Sequence, residues 1–73
     1  MELKAGKVYL VTCRRKGTFM MRVTEQRNGW TYGVVAAGRT TAMLDENVCL
    51  EGEDVCCRTE FILSAIEQKK VAV

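Results

Sequence analysis

The sequence predicts a single small, mainly β domain. It reads as an antiparallel barrel or strongly bent sheet of four to five strands, with a short C-terminal helix or 3-10 turn as the open element. Three observations carry this. Eighteen of the 73 residues are Val, Ile or Thr, whose branching at Cβ fits a pleated strand. Asn28-Gly29 separates two runs of alternating apolar residues, and a type I′ hairpin turn needs positive φ at both central positions. At 73 residues there is room for one core, since a chain this short buries only about 60% of its unfolded surface. The domain therefore spans residues 1–73, with an ordered core over about 6–67.

The first strand covers residues 7–13, bounded by Gly6 and by the charged turn Arg14-Arg15-Lys16-Gly17. The second covers 18–27, where Phe19, Met21 and Val23 alternate with Thr18, Met20, Arg22 and Thr24. The third covers 30–37. A two-residue turn at Asn28-Gly29 sets Arg27 opposite Trp30, Glu25 opposite Tyr32, Val23 opposite Val34 and Met21 opposite Ala36. Opposite residues share a face. One face then reads Met21, Val23, Val34, Ala36 and grades toward Glu25, Tyr32, Arg27 and Trp30 at the tip. Thr24, Gln26, Thr31 and Gly33 occupy the other.

The second half is less patterned. Residues 38–47 read as a connection with a helical turn around Ala42-Met43-Leu44. Residues 48–50 and 55–58 read as short strands around Glu51-Gly52-Glu53-Asp54, which as a four-residue loop sets Cys49 opposite Cys56. After Thr59, two readings stand. Phe61, Ile62, Ala65 and Ile66 fit a helix stripe capped by Thr59, with Lys69-Lys70 near its end. Phe61, Leu63 and Ala65 fit a last strand. A last strand or 3-10 turn closing a barrel is the favoured one.

Gly6-Lys7-Val8-Tyr9-Leu10-Val11, followed by Lys16-Gly17-Thr18-Phe19 and Val23, resembles the KOW segment of SH3-like small barrels over residues 6–23. In that segment a strand enters a tight glycine turn and leaves on a second strand. The chain departs from the pattern where Cys13-Arg14-Arg15 replaces the usual second glycine. SH3-like barrels recognise protein, RNA and DNA alike, so the resemblance implies an architecture rather than one function. By type, a 73-residue chain with two oppositely charged halves resembles the small phage-encoded proteins that inhibit or redirect host machinery.

Net charge is +2, but it is unevenly placed. Residues 1–39 hold eight basic side chains against Glu2 and Glu25, while residues 40–73 hold three against seven acids. Such halves make a bipolar surface or simply attract each other within the fold. No apolar run reaches the ~18 residues of a membrane span, and the first seven residues show no signal core. A cytoplasmic protein with no membrane association is expected.

Enzymatic chemistry is poorly supplied. The chain has no His, the commonest general base and zinc ligand. Ser64 is its one serine and has no partner base. Cys13, Cys49, Cys56 and Cys57 form no Cys-x-x-Cys, and adjacent Cys56 and Cys57 on a strand point to opposite faces. They read as small buried apolar residues, free and reduced. No cofactor, metal site or catalytic residue is expected.

Two surfaces suit binding. Trp30, Tyr32 and Arg27 are residue types enriched at hot spots and gather at the hairpin tip, where Trp30 and Arg27 also suit a cation–π pair. The turn Arg14-Arg15-Lys16, with Arg22, suits phosphates, beside aromatics that stack single-stranded bases. The leading expectation is a non-enzymatic protein-binding module that regulates or inhibits a larger protein or protein–nucleic-acid assembly. An RNA- or DNA-binding regulator is the alternative, and a self-assembling structural subunit joined through strand edges is the third. The molecule itself is expected as a monomer or small homo-oligomer.

Overall fold

The computed structural model describes residues 1–38 and 49–68. The helical turn expected around 42–44, Val48 and Lys69-Lys70 lie outside them. The chain is mainly β. Strands β1 (Val8–Cys13), β2 (Gly17–Arg27), β3 (Trp30–Ala37), β4 (Asp54–Arg58) and β5 (Ile62–Glu67) form one antiparallel sheet in the order β4-β3-β2-β1-β5. Thr59–Phe61 makes a single 3-10 turn between β4 and β5. The C-terminal segment thus holds both a 3-10 turn and a last strand; β5 pairs with β1, and among the described residues no pairing joins it to β4 to close a barrel.

Alternation sets the core. Tyr9, Val11 and Cys13 of β1, Phe19, Met21 and Val23 of β2, Val35 of β3, Val55 and Cys57 of β4, and Ile62 of β5 share one buried cluster. One sheet that buries side chains from all five strands together has to curl around them. Leu3 joins the cluster, so the core begins before the expected residue 6. Its N–H donates to Gln26 Oε1 at 2.8 Å, and the Lys4 N–H donates to the Tyr9 hydroxyl at 2.9 Å.

The β2–β3 hairpin turns at Asn28-Gly29 with φ of 52° and 81°, as the type I′ chemistry requires. Arg27 pairs with Trp30 and Glu25 with Tyr32, but the register then shifts, setting Val23 opposite Gly33 rather than Val34. The same shift sets Met21 opposite Val35 rather than Ala36, and a second, between Met20 and Met21, sets Met20 opposite Ala37. Thr24 is the extra residue of the first bulge, and its hydroxyl donates to the Tyr32 carbonyl at 3.1 Å. The expected core face is therefore corrected. Thr31, Gly33 and Val35 turn inward, while Val34 and Ala36 stay half-buried outside. Gly33 shows why this register wins: a Cβ there would come within 2.9 Å of Met21 Cε, so the missing side chain is the space Met21 fills.

Two further expectations are corrected. Of the strand expected over 48–50, Val48 lies outside the described residues, Cys49 is in no strand, and Leu50 is a single bridging residue whose carbonyl accepts from the Glu53 N–H at 3.0 Å in a tight turn. Cys56 accordingly stands across from Tyr32, not Cys49. In β5, a shift between Thr12 and Cys13 pairs Cys13 with Ile62 and Thr12 with Ser64. Leu63 is left between them and points to solvent, so Ile62, not Leu63, enters the core.

Candidate binding cleft beside β4

One end of the sheet is tied together by two backbone hydrogen bonds. The Thr59 N–H donates to the Gly29 carbonyl at 2.9 Å, joining the 3-10 turn to the hairpin turn. The Arg14 N–H donates to the Phe61 carbonyl at 3.1 Å, joining the basic β1–β2 turn to the same 3-10 turn. Thr31, fully buried, reinforces the first link through its hydroxyl, which lies 2.8 Å from that of Thr59. It also accepts from Gln26 Nε2 at 2.9 Å. Such satisfied polar contacts fix three loops that side-chain packing alone would leave loose.

Between these loops lies a cleft of about 560 Å³, lined by Cys13, Arg15, Lys16, Trp30, Cys56, Cys57, Arg58, Glu60 and Phe61. Its rings are covered by guanidinium groups. Arg58 lies 5.6 Å from the Trp30 ring centre and 5.9 Å from that of Phe61. Arg14 lies 6.0 Å from Phe61. Arg58 Nε also donates to Glu60 Oε1 at 3.1 Å. Three cations against one carboxylate, itself already paired, leave the cleft positive.

The floor is thiol. Cys13 and Cys57 are buried, Cys56 is exposed and Cys49, outside the cleft, is half-buried; none of the four forms a disulfide. The reading of all four as buried is thus corrected at Cys56. Burial, above all, pushes the Cys57 thiol far above its ordinary range; a side-chain hydrogen bond to Cys13 and that residue's charge add to this, while nearby Lys16 opposes it. Among the described residues no group of three or more His, Cys, Asp or Glu is placed to hold a metal ion. Among the same residues no helix is long and apolar enough to cross a membrane.

The structure sorts the residues singled out in the sequence. Trp30, Arg15 and Lys16 meet in the cleft. Tyr32 lies on the same face but lines a neighbouring hollow of about 270 Å³ with Thr24, Asp54 and Cys56. Arg27 stacks on Tyr32 at 5.6 Å and pairs with Glu25 at 3.4 Å, so the expected Arg27–Trp30 cation–π pair is replaced by Arg58–Trp30. Arg22 faces a separate hollow with Val34 and Glu51 and does not join Arg15 and Lys16. Sequence reasoning missed Arg58, Glu60 and Phe61. One signal was present: Arg58 is the single basic residue between Arg39 and Lys69.

No known protein family, curated protein or solved structure matches this chain.

Proposed function

We propose that this chain is a small non-enzymatic protein-binding module that regulates or inhibits a larger assembly through the cleft holding Trp30. The observation that carries the reading is the Trp30–Arg58–Phe61 stack, open at the cleft wall and held by fixed loops. Aromatic and arginine side chains are the residue types that dominate binding energy at protein interfaces. Glu60 takes the Nε of Arg58, and the two rings behind the guanidinium direct its Nη groups outward, which suits a partner carboxylate. Five short strands, a long bent hairpin and a 3-10 turn before the last strand support the SH3-like reading of the architecture.

A second reading, single-stranded RNA or DNA binding, has one observation in its favour: Arg15 and Lys16 stand beside Trp30. Against it, bases stack on open ring faces, and here Arg58 covers Trp30 and, with Arg14, Phe61. A base would first have to displace a guanidinium.

Affinity capture from lysate, with and without nuclease, separates the two. Wild-type protein is expected to retain a protein partner after nuclease treatment, and the Trp30→Ala variant to lose it. Capture that disappears with nuclease moves the nucleic-acid reading to first place.

A further inference from the structure

β4 ends the sheet, and among the described residues no strand pairs with its far edge. The direction of its backbone groups follows from the ladder. The Val35 N–H donates to the Glu53 carbonyl at 3.0 Å and the Thr59 N–H to the Gly29 carbonyl at 2.9 Å, with Val55 opposite Gly33 and Cys57 opposite Thr31 between them. In an antiparallel pair, successive residues turn their N–H and C=O to opposite sides. Residues 53, 55, 57 and 59 therefore face β3. Asp54, Cys56 and Arg58 turn theirs outward, and none of these groups bonds to another described residue.

That edge, unpaired among the described residues, borders the cleft, because Cys56 and Arg58 belong to both. Edge strands are templates for another extended chain, and most proteins blunt a free edge. Here the edge carries no proline; its Arg58 end shares the cleft with Arg15 and Lys16, while its other end carries Asp54. We propose that β4 receives an extended peptide segment as an added strand, with carboxylates at the Arg58 end and a neutral or basic residue at the Asp54 end. This rests on the reading of the cleft as a protein-binding site. Backbone pairing favours a peptide over a nucleic acid, since only a peptide offers alternating amide donors and carbonyl acceptors at strand spacing. Strand addition along Asp54–Arg58 takes a segment of about five residues at ~3.4 Å each.

The test uses two end-blocked peptides, Glu-Glu-Val-Thr-Val-Thr-Lys and its reverse, because either strand direction satisfies the charge pattern. Trp30, the single tryptophan, reports binding by its emission. At least one peptide is expected to bind wild type saturably. Cys56→Ala, which keeps the outward N–H, should bind as wild type does. Cys56→Pro removes that N–H without touching the β3 ladder and should weaken binding about tenfold. The same peptide N-methylated on alternate backbone amides, in the phase that pairs with the edge, should lose binding to unaltered protein. This second measurement stands if the proline variant fails to fold. Equal binding of the N-methylated and plain peptides, with Arg58→Glu still abolishing both, overturns strand addition and leaves the cleft reading standing. No binding of either peptide, or tighter binding of an oligothymidylate of equal charge, overturns the proposal.

Discussion

Arg58 and Trp30 face each other across the β3–β4 pair, with the guanidinium 5.6 Å from the indole centre. Trp30 follows a two-residue turn and pairs with Arg27 on its other side, so two arginines flank it. Arg27 goes to Tyr32 and Glu25 instead. Arg58, held by Glu60 and set beside Phe61, takes the indole. The hairpin tip and the 3-10 turn thus meet in one contact, and the cleft wall is built from residues 28 positions apart in the chain.

That contact is measurable. In a double-mutant cycle on folding stability, Trp30→Ala and Arg58→Ala should couple by about 0.5–1 kcal/mol, the scale of an exposed cation–π pair. Trp30 is half-buried, so its truncation should cost less than the ~3–5 kcal/mol expected for Phe19→Ala in the core. Urea denaturation of the four proteins checks both.

Gly33→Ala should be the most damaging single-methyl change in the hairpin. The added Cβ would meet the Arg22 carbonyl oxygen, which is backbone and cannot swing aside, as well as Met21 Cε. A cost of about 3 kcal/mol or more is expected from such overpacking. Thermal unfolding is the readout, and a variant as stable as wild type would show that Met21 does not fill this space.

The thiols should differ in reactivity. Under native conditions at neutral pH, a maleimide should modify exposed Cys56 first, with buried Cys13 and Cys57 slowest. After denaturation without reductant all four should react. Peptide mapping by mass spectrometry gives the order.

Stability should fall on the alkaline side. Burial holds Cys57 protonated in the folded state well beyond the ordinary thiol range, so above about pH 8.5 the unfolded chain releases a proton that the folded chain keeps. This contribution is complete below that pH and is lost as pH rises, by up to about 1.4 kcal/mol per pH unit. Cys57→Ala should flatten the decline. Urea midpoints between pH 7.5 and 10 for both proteins test it.

The first three strands were legible because their signals are local. Asn28-Gly29 set the turn and the pairing next to it, and the alternation of Phe19, Met21 and Val23 named that strand's core face. What failed was propagation. A two-residue turn fixes register only until the first bulge, and Thr24 carries no residue-level mark of one. The bulge answers a packing demand, Met21 over Gly33, that exists only after the strands meet. The cleft failed to appear in the sequence for a related reason. Arg14, Trp30 and Phe61 are brought together by the Gly29–Thr59 and Arg14–Phe61 backbone bonds, and main-chain contacts between distant loops leave no pattern in residue types. Trp30 itself was visible, because an aromatic at a hairpin tip lies where the core ends.

The affinity of the captured partner for Trp30→Ala tests the central claim most directly, with Arg14→Glu plus Arg15→Glu measured alongside. If Trp30 anchors a protein partner, its truncation should weaken binding about thirtyfold, the ~2 kcal/mol of a hot spot, with the circular dichroism of the fold unchanged. Unaltered affinity in Trp30→Ala, with binding abolished by the charge reversal alone, would contradict it.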